Sequence, residues 1–194
     1  MKQLTAEQIQ ENWNKLIQLI KDTFPEDYPD NRREKLLKMY HHFEDRMTVA
    51  PASGKEHYHN AHVGGYVEHV LHVTDLAVQI KEMWELNKAT INFTDEELIF
   101  AAIHHDLGKV GDLDKDYYVP QDSEWHRKNR GEIFTHNGEL SYMTVTDRAI
   151  FLLGHFQIPM SENEYIGLRL TDGLYEEANK NYYISWNPDW GLKS

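Results

Sequence analysis

The chain contains no cysteine, which excludes disulfide bonds and thiolate metal sites. No apolar run approaches the ~20 residues that a membrane span needs, and the N-terminus lacks the apolar core of a signal peptide. The sequence also contains no Walker loop and no G-x-G-x-x-G motif, so a phosphate-loop nucleotide fold is not expected. Together these absences predict a cytoplasmic protein with no membrane partner.

The chain has 194 residues with a formal net charge of -12, and we expect a single domain over 1–194. A long polyanion would be repelled by this charge, so an extended nucleic acid is not an expected partner. A small phosphorylated substrate that meets local cations is still compatible with it. Of the 12 histidines in the chain, several cluster between His57 and His105, which directs attention to that segment.

The spacing of apolar residues predicts an all-α chain. Helices are expected over about 5–23, after Asp30 to about Phe43, over 65–86, from Thr94 to Gly108 or Lys109, over 146–156 and over 161–178. Three of them begin with capping-box sequences, at Thr5, Thr94 and Ser161. Residues 110–140 break this pattern, and their short aromatic runs indicate a long loop or a small β-hairpin.

The stretch AAIHHDLGK, residues 101–109, places polar side chains directly after an apolar run. His105 continues the helical row of Leu98 and Ala101, and this whole row should face the core. Asp106 continues the row of Ile103 in the same way. An ionised carboxylate in the core costs several kcal/mol or more unless it is compensated, and a metal ion is one such partner.

The helix expected at 65–86 supplies a further inward-facing histidine. Its apolar stripe consists of His69, Val73, Leu76, Ile80 and Met83, so His69 should point into the core. Three nitrogen and oxygen ligands from two neighbouring helices suit a divalent ion such as Mn²⁺, Fe²⁺, Co²⁺, Ni²⁺ or Zn²⁺.

The segment HYHNAHVGGYVEHV, followed by HHDLGK, resembles the HD-domain metal-dependent phosphohydrolases, most closely over residues 57–109. The resemblance implies an HD-type helical bundle with a metal-binding core at about 57–178. It identifies His69 as the first ligand of a divalent ion, Mg²⁺ included, and His105 with Asp106 as the dyad. The last ligand should be an aspartate from a late helix. We favour Asp172 over Asp147, because Asp147 stands at a helix start, where a capping carboxylate is common.

The resemblance also suggests one further metal and a substrate site. His136 and His155 are candidate ligands of a second ion. Lys109 and Asp106 are the candidate catalytic residues, with Lys109 able to reach a phosphate held on the metal. Candidate substrate-binding residues are His59 and His62, before the Gly-Gly pair. The charge of the long loop adds Arg127, Lys128 and Arg130, a basic stretch that suits either a lid over a phosphate site or an ordinary solvated loop.

The implied activity is hydrolysis of a phosphate ester with the help of one or two divalent ions. The charge favours a small nucleotide, hence a nucleotidase or a nucleoside-triphosphate hydrolase. One alternative is a phosphodiesterase acting on a cyclic nucleotide or on an RNA 3′ end. Another is a catalytically inactive module that binds a nucleotide or a protein.

Overall fold

The computed structural model describes residues 3–26 and 29–184. The helices are α1 (Ala6–Thr23), α2 (Arg32–His42), α3 (Glu44–Met47), α4 (Gly65–Leu86), α5 (Asp95–His104), α6 (Glu124–Arg130), α7 (Val145–His155), α8 (Glu162–Leu170) and α9 (Lys180–Ile184). Short 3₁₀ turns lie at Pro29–Asn31, Leu107–Val110, Gly173–Tyr175 and Glu177–Asn179. The antiparallel strands β1 (Tyr118–Pro120) and β2 (Phe134–His136) flank α6.

The predicted all-α fold with a small β-hairpin within 110–140 is therefore confirmed. The expected single domain over 1–194 stays a prediction, because it includes residues 1–2, 27–28 and 185–194, which lie outside the described residues. All three predicted capping boxes form, pairing Thr5 with Gln8, Thr94 with Glu97, and Ser161 with Glu164. Each box satisfies two backbone N–H groups that the first helical turn leaves without partners.

The core lies between α1, α2, α4, α5, α7 and α8. Helix α1 contributes Trp13, Leu16, Ile17 and Ile20, whose spacing places them on one buried face. A buried ion pair crosses the same region: Arg32 on α2 lies 2.6 Å from the Glu164 carboxylate on α8. Both side chains are at most 4% exposed, so this pair is fully desolvated.

Helices α4 and α5 pack in opposite directions, with the start of α4 beside the end of α5. Helix α4 is longer than its partner. Lys81 Nζ lies 3.0 Å from Asp95 Oδ1 at the first turn of α5, and the last turns of α4 extend past that point. In the parts of the chain that the structure describes, no helix has the length and apolar character needed to cross a bilayer.

The expectation that the whole apolar stripe of α4 faces the core is wrong for its outer half. Leu76, Ile80 and Met83 are 42–52% exposed, whereas Val70 is fully buried near the start of the helix. Lys81 reaches the first turn of α5, so Leu76 and Ile80 lie alongside α5 but on a face that it does not cover, and only the turns from Met83 onward extend past it. The inner part of the stripe, including His69, remains next to α5 and holds the functional residues.

His104, the first histidine of the HHD sequence, is a core residue. Its ring is fully buried between Tyr40 and Phe100, and its Nδ1 lies 2.7 Å from the Phe100 carbonyl oxygen. Burial is the main reason that the pKa of His104 falls from 6.5 to about 3. The imidazole is therefore neutral at physiological pH.

This burial predicts a pH dependence of stability. Between pH 6.5 and about 3 the unfolded chain takes up a proton on His104 that the folded chain does not. The free energy of unfolding should therefore fall as the pH falls from 6.5, by up to about 1.4 kcal/mol per pH unit. Urea unfolding measures this free energy at pH 7 and at pH 5. The decrease from pH 7 to pH 5 should be smaller in His104→Leu than in the wild type. The exposed control His155→Gln should follow the wild type, and an equal loss in His104→Leu would contradict the prediction.

Candidate metal centre

Three of the predicted ligands meet between α4 and α5. His69 Nε2 lies 3.1 Å from His105 Nε2, and each of these atoms lies 3.4 Å from Asp106 Oδ2. The three side chains are only 12–16% exposed. The first turns of α4 and the last turn of α5 therefore bring together two imidazoles and one carboxylate at the edge of the core.

The two residues of the dyad face the same point because the helix ends at the dyad. Adjacent residues on a regular α-helix point about 100° apart and do not face each other. Helix α5 stops at His104, and Asp106 adopts φ -110° and ψ 12°, outside the helical values. The expected continuation of this helix to Gly108 or Lys109 is instead a 3₁₀ turn at Leu107–Val110. This break turns the Asp106 carboxylate toward the His105 ring.

The geometry of the three atoms fits one divalent ion. Ligands about 2.1 Å from an ion lie about 3.0 Å apart at a right angle and about 3.4 Å apart at the tetrahedral angle. The observed separations of 3.1 and 3.4 Å fall in this range. His105 Nδ1 lies 2.7 Å from the Ala102 carbonyl oxygen and donates to it, which leaves the Nε2 lone pair free to bind a metal.

Lys109 adds a cation to the cluster. Its Nζ donates to Asp106 Oδ2 at 2.7 Å from the 3₁₀ turn that follows the dyad. Burial raises the pKa of the Asp106 carboxyl, but the neighbouring His105 and His69 and the charge on Lys109 outweigh burial and hold this pKa well below its usual range. Asp106 is therefore an ionised ligand at any physiological pH.

A tight turn at the two glycines brings a third histidine to the cluster. Gly64 has φ 78°, a left-handed conformation that favours glycine, and a Cβ at Gly65 would overlap the Asn60 carbonyl oxygen. The turn folds the preceding segment back over α4, so that the His59 ring lies 4.4 Å from the His69 ring. Ligand atoms of His59, His69 and Asp106 all lie within 4.8 Å of one another. Burial and then the neighbouring His69 lower the pKa of His59, so its ring is neutral.

The β-hairpin forms a wall beside the cluster. Tyr118 on β1 pairs with His136 on β2, and the His136 ring also packs 4.9 Å from Tyr117. Burial, followed by the charge on Lys109, lowers the pKa of His136. Burial likewise raises the pKa of Tyr118, with Asp106 contributing. The charge on Lys109 therefore acts on His136, whose role as a second-metal ligand stays a prediction.

The two candidate aspartates lie near the start of α7. Asp172 Oδ2 accepts a 2.6 Å hydrogen bond from Thr146 Oγ1, and its charge acts on Tyr117 of the hairpin wall. Asp147 lies in the first turn of α7, where Thr144 is the N-cap, which agrees with a helix-start role. Asp172 is outside the group of ligand atoms within 4.8 Å among the described residues, so its role as the last ligand stays a prediction.

Two predicted histidines lie in other surroundings. Val145 abuts Gly108 beside the dyad, and His155 is ten residues further along α7, about 15 Å away. The structure therefore does not bring His155 to the centre; it lines a surface pocket with His42 instead. His62 is 7% exposed and its Nε2 lies 3.3 Å from Glu68 Oε2, beneath the glycine turn. This contact supports the turn, and substrate binding by His62 stays a prediction.

The basic loop predicted to cover the site is an ordered helix, α6. Ser123 caps its start and Gly131, with φ 61°, ends it. Its cations are partly neutralised within the hairpin: Lys128 pairs with Glu124, Arg130 lies 3.9 Å from Glu132, and Arg127 donates to the Gln121 carbonyl oxygen. Direct substrate contacts by Arg127, Lys128 and Arg130 stay predictions.

The fold and the centre together define an all-α protein with a histidine–aspartate cluster that could hold a metal ion. The chain belongs to the HD domain family, whose model matches residues 66–177, more than half of the chain. Proteins of this family are generally metal-dependent phosphohydrolases, although some members are inactive. The matched region includes His69, the dyad and Asp172. Searches of curated proteins and of solved structures each give no match.

The sequence did not indicate two features of this centre. We expected His59 to bind substrate, but its ligand atom lies within reach of the metal ligands. The Gly64–Gly65 pair was the available signal, because a reversal there returns the preceding histidines to the start of α4. Tyr118 was missed entirely, since nothing in the pattern fixes which face of a three-residue strand meets the site.

Proposed function

We propose that the protein is a metal-dependent phosphohydrolase that cleaves a phosphate ester of a small nucleotide-like substrate, as a nucleotidase or a nucleoside-triphosphate hydrolase. The observation that carries this proposal is the cluster of His69, His105 and Asp106, with ligand atoms 3.1–3.4 Å apart, beside the ammonium of Lys109. A divalent ion held there would polarise a phosphoryl oxygen and acidify a water molecule.

The protein's own groups have separate tasks in this reaction. Lys109 is placed to stabilise the negative charge that builds on the phosphoryl oxygens. Tyr118, whose pKa is raised by burial, keeps its proton and can donate a hydrogen bond from the hairpin wall. His136 can orient the leaving oxygen from the same wall, and α6 offers cations to an approaching anion.

An apolar groove supports the nucleotide part of the proposal. It has a volume of about 430 Å³, opens beside His105 and runs between α4, α5 and α8. Small and apolar residues line it, among them Val73, Ala77, Leu98, Ala101 and Gly167. A flat nucleobase fits such a slot while its phosphate reaches the metal. The net charge of -12 disfavours a polynucleotide in the same position.

A substrate panel tests the proposal. Nucleoside monophosphates, triphosphates and cyclic nucleotides are incubated with Mn²⁺, Co²⁺, Ni²⁺ or Mg²⁺, and phosphate and nucleoside release are measured. We expect metal-dependent turnover that EDTA abolishes. Cleavage of cyclic nucleotides alone would favour the phosphodiesterase. Bound metal without any turnover would overturn the proposal in favour of an inactive binding module.

Lys109→Met should separate catalysis from metal binding. Loss of one preorganised charge at a transition state costs roughly 10²–10³-fold in kcat. Metal affinity should be kept or increased, because the ammonium no longer competes with the ion for Asp106 Oδ2. The matched control is Lys115→Met, on a half-exposed lysine that pairs with Glu139. An unchanged kcat in Lys109→Met would remove Lys109 from the catalytic residues.

A further inference from the structure

We infer that His59 is a protein ligand of the metal, supplied by the loop before α4 rather than by the helical core. The inference rests on the metal site used in the proposed function, but not on phosphate-ester hydrolysis. His59 lies outside the matched region of residues 66–177. The sequence predicts that His59 binds substrate. As a metal ligand, His59 would instead attach the loop before α4 to the metal.

The distances allow coordination with a small movement. The ligand atoms of His59, His69 and Asp106 lie within 4.8 Å of one another. Ligand atoms about 2.1 Å from one ion lie about 3.0–3.4 Å apart at right or tetrahedral angles, so the approach that remains is at most about 2 Å. The His59 side chain is exposed, and a rotation about its side-chain bonds supplies that movement without disturbing the core.

The backbone around His59 is fixed, which makes a productive approach repeatable. The His59 carbonyl oxygen accepts a 2.6 Å hydrogen bond from Ser53 Oγ, and the Asn60 carbonyl accepts one from the Ala52 amide. The Gly64–Gly65 turn then seats this segment on α4. His59 is thus held over the His69 ring, at 4.4 Å between ring centres.

The same loop is joined to the β-hairpin. The Gly54 carbonyl accepts hydrogen bonds from the amides of Ile133 and Phe134, and the Glu56 amide donates to Gly131. A metal bound through His59 therefore links four elements: α4, the end of α5, the loop at 52–60 and the hairpin. Metal binding should order the loop and the hairpin wall together, although only one of their side chains touches the ion.

The test compares His59→Ala with His57→Ala in the full chain. His57 is an equally exposed histidine two residues earlier in the same loop, with its ring packed on Tyr58. Zn²⁺ and Co²⁺ titrations should show an affinity about 10–100-fold weaker in His59→Ala and unchanged in His57→Ala. The Co²⁺ absorption spectrum of His59→Ala should change as a ligand is lost.

Hydrogen exchange provides a second measurement. On addition of Zn²⁺, peptides covering 52–60 and 118–136 should gain protection in the wild type and in His57→Ala, but not in His59→Ala. Equal metal affinity and equal protection in both variants would overturn the inference while leaving the proposed function intact. Loss of affinity in His59→Ala in a chain that hydrolyses no phosphate ester would support the inference and reject the proposed function. A wild-type chain that binds no metal would overturn both.

Discussion

Asp106→Asn is expected to lower metal-dependent turnover by on the order of 10³-fold or more. Asp106 is the anionic member of the cluster, with its Oδ2 3.4 Å from both ligand nitrogens. An amide cannot replace the negative charge that attracts the ion. Lewis-acid stabilisation is worth several kcal/mol in the transition state, and about 4 kcal/mol corresponds to 10³-fold. Turnover and Mn²⁺ affinity are measured together, with thermal unfolding as the check that the variant is folded.

Two further aspartates sharpen this experiment. Asp147→Asn, in the first turn of α7, should leave Mn²⁺ affinity and turnover unchanged. Asp172→Asn decides the unresolved ligand: a weaker affinity would make Asp172 part of the site, whereas an unchanged affinity would limit it to its bond with Thr146. A folded Asp106→Asn variant with wild-type turnover would reject the metal mechanism.

Arg32→Met is expected to destabilise the fold by about 3–5 kcal/mol. The Arg32 guanidinium lies 2.6 Å from the buried carboxylate of Glu164 and 4.2 Å from the centre of the Phe100 ring. Removal of the arginine leaves a carboxylate with no exposed surface and no counter-ion. Burial already raises the pKa of Glu164 against the opposing effect of Arg32, which shows how strongly the site disfavours the charge. Urea unfolding at pH 7 measures the loss.

The double variant Arg32→Met with Glu164→Gln is the matched control. The glutamine removes the buried charge but keeps a side-chain oxygen for the Ser161 amide, which Glu164 caps at 2.7 Å. The double variant should therefore be more stable than Arg32→Met alone. If the second substitution adds a further loss instead, the cost in Arg32→Met arises from lost packing against Phe100 and not from an unpaired charge.

The helical spacing indicated that His69 and His105 face inward because His69 lies within a helix and His105 lies at the end of one. His69 and His105 each extend an apolar row, and when such a row packs against the core, its polar members face the core as well. The basic helix α6 was also within reach of the sequence, since Ser123 and Gly131 are ordinary start and stop signals. We read that segment as a loop because a seven-residue helix gives a weak periodic signal.

Other features depend on contacts that no single segment contains. The apolar spacing of α4 shows that Leu76 and Ile80 share a face, but not that α5 packs beside that face and leaves it uncovered. The spacing after His104 continues into buried Leu107 and Val110, so it cannot show the change to a 3₁₀ turn. The position of His59 depends on a chain reversal at Gly64, which apolar spacing does not record.

Because α4 and α5 run in opposite directions, the candidate ligands and the α4–α5 connection lie at opposite ends of the helix pair. From His69 to Leu86, α4 runs 17 residues, so the connection to α5 lies about 25 Å from the metal ligands. That far end is exposed from Trp84 to Thr90. Inserted segments or reporter sequences placed there would lengthen the helical hairpin without moving the ligands. The domain can therefore vary in size and acquire new attachments at one end while its reactive end stays unchanged.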